Sequence, residues 1–244
     1  MEYGEISKIM DLDKKKDKEA AKILDKLIEE PDLTKLEKLL VGKDVIVFGA
    51  GPSLKEDILN VKGKRLHEES TIIAADGAAK ALIENRIFPH VLVTDLDGDE
   101  SSILQANKHG TVTIVHAHGD NIPQLKRLVP SMKDVIGTTQ CEEFGKMNNF
   151  GGFTDGDRAV FLAEYFSADT IILAGMDFGK DAGPYSGKET SEKKLKKLEI
   201  GKKLIEELAK STEATILNVT KKGEYILGVP KISIEDLTTL LGFD

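Results

Sequence analysis

The sequence predicts an α/β protein: a Rossmann-like, largely parallel sheet with helices on both faces, preceded by a helical N-terminal extension. Two observations carry this. Short runs rich in β-branched and apolar residues recur at Asp44–Phe48, Thr71–Ala75, Val91–Thr94, 111–116, 134–137 and Thr170–Ala174, with helix-like stretches between them. Strands that alternate with helices build parallel sheets, because a parallel pair needs a long crossover connection. Most of these runs are also followed closely by glycine or acid: Gly49, Asp76, Asp95, Gly175. Parallel strands end at one edge, so these residues gather where open α/β sheets bind their ligands.

The chain of 244 residues suffices for one large α/β domain or two small ones. Residues 1–40 are expected to form the helical extension. Residues 41–244 are expected to form an α/β catalytic domain with a variable C-terminal part, since no linker is long enough to force a split. Hydrophobic residues are 40% and charged residues 31%, a globular balance. The net charge of -8 argues against nucleic acid and anionic membranes as partners, which need a basic face. The lone Cys141 excludes an intrachain disulfide and a Cys-rich zinc site, and without a basic neighbour it reads as a small filler. Nothing resembles a signal peptide or a membrane span, so the expected location is cytoplasmic.

In the extension, Ala20, Ile23, Leu24, Leu27 and Ile28 follow helical spacing until Pro31. Leu33, Leu36, Leu39 and Leu40 continue as a second short helix. No chemistry shows there. The expected role is a cap on the main domain or on a partner subunit, which leaves a homodimer open.

Asp44–Phe48 is a buried strand, followed by G-A-G-P-S-L. Gly49 and Gly51 permit a tight turn, and Ser53 is expected to cap the helix after it, whose free N–H groups suit a phosphate. Leu54 stands where a dinucleotide fingerprint needs its third glycine, so a nicotinamide oxidoreductase fits poorly. Asp76-Gly77 closes the next strand, and a helix is expected over 78–85. After Pro89 and Val91–Thr94 comes Asp95-Leu96-Asp97-Gly98-Asp99, before a helix over 101–108. A calcium loop is rejected, because Gly98 is misplaced and no closing Glu follows. The strand over 111–116 runs into H-A-H-G-D. His116 and His118 share a side of an extended segment, but no third zinc ligand is evident. His118 and Asp120 therefore read as substrate or phosphate contacts. A short helix over 121–128 and a strand over 134–137 lead to Thr138 and Gln140, hydroxyl and amide partners at another strand end.

Asn148 to Arg158 reads N-N-F-G-G-F-T-D-G-D-R. Thr154 is expected to cap a helix over 155–166, whose acidic first turn suits the helix dipole. The functional reading places Asp155 near a metal and Arg158 on a phosphate, where a guanidinium fork fits. Asp177 is again an acid just past the strand Thr170–Ala174. Residues 181–189 read as a loop with Tyr185 and Lys188 available to cover a ligand. A long helix over 191–210 carries solvated Lys/Glu runs. Strands over 215–219 and 225–229 and a capped helix from Ser233 complete the chain.

Singly, each acid is a turn or cap residue. Together at two successive strand ends, Asp76, Asp95 and Asp97 suit a hard divalent cation such as Mg2+, which takes carboxylates and substrate phosphates. A Mg2+–nucleotide site at these three is the central expectation.

The motifs support a resemblance. A-D-G-A-A with Asp76, and P-H-V-L-V-T-D-L-D-G with Asp95 and Asp97, are similar to the thiamin pyrophosphokinase catalytic domain. Thr154-Asp155 matches that family's later T-D pair. The full set resembles the archaeal 6-hydroxymethyl-7,8-dihydropterin diphosphokinases of methanopterin biosynthesis: G-A-G-P-S-L, D-L-D-G, H-A-H-G-D, F-T-D-G-D-R and A-G-M-D-F-G, across roughly residues 44–180. The resemblance implies diphosphoryl transfer from ATP to the pterin hydroxymethyl with Mg2+, releasing AMP. In that reading Asp76, Asp95 and Asp97 hold the metal, and one of them or Asp155 takes the hydroxyl proton. Arg158, Thr154 and the Gly49–Ser53 turn hold phosphate, while Asn149, Thr138, Gln140 and Asp177 face pterin or adenine. Ala78, and Gly175-Met176-Asp177-Phe178, depart from the thiamin enzymes and put thiamin in doubt. Thiamin pyrophosphokinase and a non-catalytic nucleotide-binding module remain the alternatives.

Overall fold

The computed structural model describes residues 1–186 and 192–243. Lys188, expected to help cover a ligand, lies outside them, as does Ser191 at the expected start of the long helix. The extension comprises α1 (Tyr3–Ile9), α2 (Lys14–Leu27) and α3 (Thr34–Leu40). Then come β1 (Asp44–Phe48), α4 (Leu54–Gly63), α5 (Leu66–Glu69), β2 (Thr71–Ala75), α6 (Ala78–Glu84), β3 (Val91–Thr94) and α7 (Glu100–Lys108). β4 (Val112–Ala117), α8 (Ile122–Leu128), β5 (Val135–Thr139), β6 (Met147–Asn148) and α9 (Asp155–Tyr165) follow. The chain closes with β7 (Thr170–Ala174), α10 (Glu192–Leu208), β8 (Thr215–Asn218) and α11 (Ile234–Leu241).

The strands form one sheet in the order β6-β5-β4-β3-β2-β1-β7-β8, and every neighbouring pair is parallel. Both faces are covered. Ile46, Phe48, Ile72, Ala74 and Leu92 pack with α2, α4, α6 and α8 on one side. Their alternates Val45, Val47, Ile73, Val91 and Val93 pack with α3, α9 and α10 on the other. The predicted fold class is borne out. The chain winds outward from β1 to β6, then returns to lay β7 against the opposite side of β1. The ends of β1 and β7 therefore flank the switch point, where a crevice opens.

Two of the differences from expectation concern strands. Residues 225–229 form an isolated bridge between Ile226 and Val229 rather than a strand. Gly228 turns the chain at φ 83°, and Pro230, which has no N–H, accepts from the Asn218 N–H at 2.9 Å. Strand β6 was not expected: Met147 and Asn148 are too short a run to show a period.

The extension packs into the main core. Ala20, Ala21 and Leu24 of α2 are fully buried against the sheet beside β4, β5 and α8. None of the described helices is long and apolar enough to cross a membrane.

Candidate active site

Asp76 follows β2 directly. Its N–H donates to the Val93 carbonyl at 2.8 Å, so the residue stays pinned to the sheet. Its φ is 37°, an uncommon left-handed value for a non-glycine residue. Thr94, at the end of β3, donates its hydroxyl to the Asp76 carboxylate at 2.5 Å. Two residues on, Leu96 is left-handed too, at φ 67°, with its N–H on Thr94 Oγ1 at 2.8 Å. Leu96 is buried, and the acids on either side of it meet Asp76: oxygens of Asp76, Asp95 and Asp97 lie within 4.8 Å of one another. Two left-handed side chains at one spot are strain that the surrounding fold imposes.

Asp155 enters from the start of α9. The capping box there belongs to its neighbours: the Thr154 N–H donates to Asp157 Oδ1 at 2.9 Å, and the Thr154 hydroxyl bonds the same carboxylate. Asp157 is thus a buried cap. Asp155 Oδ1 is buried with no hydrogen-bond partner, and Arg158 Nη1 stands 3.9 Å away. An orphaned carboxylate oxygen in the interior is costly. Beside three further acids, it makes a donor set that fits a hard cation through oxygen alone.

The electrostatics agree with that fit. Burial, then the charges of Asp97 and Asp95, push Asp76 up to about 8. Burial and neighbouring acids also raise Asp97 and Asp155. Burial would raise Asp95 as well, but His118 Nε2, 3.2 Å from its carboxylate, holds it down at about 2. The cluster is crowded with negative charge that a bound cation would relieve. This has a measurable consequence in metal-free protein. Asp76 titrates near 8 folded against 3.8 as a free side chain, so between those values the folded state holds the extra proton. Its contribution to stability is present at low pH and is lost as pH rises through about 8. Melts in chelator from about pH 5 to 9 should show Asp76→Asn gaining on the wild type as pH rises; parallel curves would contradict the assignment.

Arg158 is buried behind the acids. Its Nη2 donates to His116 Nε2 at 2.9 Å and to Gln140 Oε1 at 3.3 Å. His116 therefore accepts at Nε2 and carries its proton on Nδ1, which faces Thr138 Oγ1 at 3.1 Å. Burial and Arg158 keep it neutral. His116 and His118 stack at 6.4 Å, each with its own partner, so the zinc pair does not form.

Two cavities adjoin the acids. The first, about 280 Å³, lies at the switch point between the Gly49–Pro52 turn, Asp76, Gly175, Tyr185 and Lys194. The second, about 350 Å³, lies between the extension and the loops after β4 and β5, with Asp17, Asp95, His118, Asp120, Gln140 and Arg158. Asp97, Thr154 and Asp155 line both.

Not every expected residue faces these spaces. Ser53 stands at the N-cap of α4 but does not cap it. Its hydroxyl donates to Asp177 Oδ1 at 2.6 Å, and its N–H reaches Asp177 Oδ2 at 3.1 Å. Asp177 lines the first cavity while spending both oxygens on the Gly49–Ser53 turn. Thr138 and Asn149 line a separate narrow cleft behind His116 and are absent from both cavities. Asn149 donates to the Cys141 carbonyl at 3.2 Å. The Gly51 turn is tight: a Cβ there would lie 2.1 Å from Asp177 Oδ2 and 2.6 Å from the Gly175 carbonyl. Gly51→Ala is expected to cost about 1–3 kcal/mol in urea unfolding and to weaken nucleotide binding.

Sequence reasoning missed two groups. Lys16 and Asp17 reach the second cavity from a segment that shows no chemical motif. Lys193, Lys194 and Lys197 of α10 line the cavities beside Asp97. Their three- and four-residue spacing puts them on one helix face, the one signal available.

Comparisons with known proteins bear on this geometry. A family model described as 6-hydroxymethylpterin diphosphokinase MptE-like matches residues 18–183. The chain is 42% identical over 231 residues to a 6-hydroxymethyl-7,8-dihydropterin pyrophosphokinase of Methanocaldococcus jannaschii, covering 88% of this chain and 96% of the relative. A protein of that name from Pyrococcus furiosus is 43% identical over 224 residues, covering 88% of this chain and 94% of the relative. Among solved structures, a MAf glycosyltransferase from Magnetospirillum magneticum AMB-1 superposes with a TM-score of 0.53 at 17% identity, over 88% of this chain and 39% of that one, a likeness of fold alone.

Proposed function

The chain belongs to the MptE-like family of 6-hydroxymethylpterin diphosphokinases, and from that premise we propose that it transfers a diphosphoryl group from ATP to 6-hydroxymethyl-7,8-dihydropterin, releasing AMP, with Mg2+. The observation that carries the reading is the acid cluster, with the orphaned Asp155 Oδ1, set between two cavities at the strand ends.

Asp76, Asp95 and Asp97 would hold Mg2+, which would neutralise charge on the transferring phosphates. The remaining work falls to the chain. The Gly49–Pro52 turn lines the first cavity, with the N–H groups of Gly49, Gly51 and Ser53 already bonded to Ala174, Gly175 and Asp177, so positive charge for the phosphates comes from Lys194 and Lys197 of α10. The acceptor hydroxyl oxygen forms a bond to the β-phosphorus, and the bond from that phosphorus to the α–β bridging oxygen breaks, so AMP leaves with that oxygen. The hydroxyl proton passes to Asp155, which lines both cavities and whose proton affinity burial and the neighbouring acids raise. Arg158 Nη1 stands 3.9 Å behind Asp155 as a nearby positive charge. The expected setting is the cytoplasm, with small molecules as partners.

The test is incubation with ATP and Mg2+ beside 6-hydroxymethyl-7,8-dihydropterin or thiamin, following AMP and product masses. AMP with pterin diphosphate is the expected result. Thiamin diphosphate would keep the chemistry and move the substrate. No AMP with either would reduce the chain to a nucleotide-binding module.

A further inference from the structure

We propose that the second cavity is the acceptor pocket and that the N-terminal helices form one of its walls, so that Asp17, Gln140 and Asp120 select the pterin ring; this rests on the functional reading above. In-line transfer places the attacking hydroxyl and the departing AMP on opposite sides of the phosphorus. The molecule offers one cavity on each side of its acids, with Asp97, Thr154 and Asp155 as the common wall. The linings divide the two substrates. The first is glycine-rich backbone with Met176, Phe178 and Leu198, suited to phosphates and a flat base. The second combines the carboxylates, amide and imidazole of Asp17, Asp120, Gln140 and His118, suited to a heterocycle whose edge carries amino and N–H donors beside a carbonyl acceptor, with Lys16, Arg158, Lys193 and Lys197 also in its wall.

Asp17 is held for this task. It is 5% exposed. Its Oδ1 accepts from the Gly119 N–H at 2.8 Å, and its Oδ2 accepts from Gln140 Nε2 at 2.8 Å and from the Tyr3 hydroxyl at 2.6 Å. One carboxylate therefore joins α1, α2, the turn bearing His118 and Asp120, and the end of β5. The fit is close: a Cβ on Gly119 would lie 2.6 Å from Lys16 Cβ. Docking of the extension thus sets the shape of the pocket beside Asp95.

The experiment titrates the full-length protein with 6-hydroxymethylpterin, the fluorescent oxidised form of the acceptor; the chain has no Trp to interfere. It adds steady-state KM values for the dihydropterin and for ATP, in wild type, Asp17→Asn and Asp120→Ala. Asp120 is exposed, and its carboxylate carries none of the contacts that dock the extension, so this variant stands even where Asp17→Asn fails to fold. Acceptor binding should weaken, and acceptor KM rise, about tenfold, with ATP KM within about twofold. Unchanged acceptor affinity in the folded variants, or a shift in ATP KM instead, overturns the pocket. A wild type that binds no pterin also overturns it. A wild type that binds pterin but releases no AMP overturns the functional reading alone, and the variant titrations still decide the pocket.

Discussion

Asp76→Asn is expected to lose transfer activity by about a hundred- to thousand-fold, the scale of deleting one group that stabilises transition-state charge. The same variant should unfold at higher temperature than the wild type in chelator, by about 1–2 kcal/mol of stability. Both effects have one cause. Asp76 packs against Asp95 and Asp97, and burial and then the charges of Asp97 and Asp95 push its carboxyl up to about 8. An amide keeps the Thr94 hydrogen bond, removes the repulsion, and removes a carboxylate proposed to hold Mg2+. Activity at saturating ATP, with Mg2+ titrated, and melts with and without Mg2+ read the two halves. A variant that keeps full turnover, or one less stable than the wild type in chelator at about pH 8, would refute the assignment.

Arg158→Met should have the largest effect on stability, about 3–5 kcal/mol, because it strips the cation from a buried acid group. Arg158 is 9% exposed and stands 3.9 Å from Asp155, with His116 and Gln140 on its other nitrogen. Removal leaves Asp155 facing Asp76, Asp95 and Asp97 with no counter-charge, and His116 Nε2 without its donor. Arg158→Lys should recover only part of the loss, since an ammonium cannot span His116, Gln140 and Asp155 as a planar fork does. Urea unfolding measures the cost. Added Mg2+ should narrow the gap between Arg158→Met and wild type, because a bound cation takes over part of the charge balance. A gap that Mg2+ leaves untouched would mean that Arg158 acts through packing alone.

The fold was legible because its signals are local. Asp44–Phe48, Thr71–Ala75, Val91–Thr94 and Thr170–Ala174 are short apolar runs separated by helical stretches, and each became a buried parallel strand. Errors fell where tertiary context outweighs local pattern. Residues 225–229 read as a strand, but Gly228 turns the chain before a ladder can form. Ser53 had the residue type and place of a helix cap, yet the acid that claims its hydroxyl is Asp177, far along the chain. Spacing along a sequence cannot show a competition of that kind.

By itself, the sequence determined the α/β class, the strand-end acids and the family resemblance, because strand periods and turn residues act within a few positions. Only the tertiary structure decided which acids meet. The β1–β2–β3 register and two left-handed residues bring Asp76, Asp95 and Asp97 within 4.8 Å, while Asp157 is consumed by a capping box and Asp155 is left with an unpaired oxygen. It also placed the N-terminal helices against the second cavity beside the acids. Asp17 reaches Gly119 and Gln140 across more than a hundred residues of chain, and such contacts depend on how helices dock on a sheet rather than on any pattern a local stretch can carry.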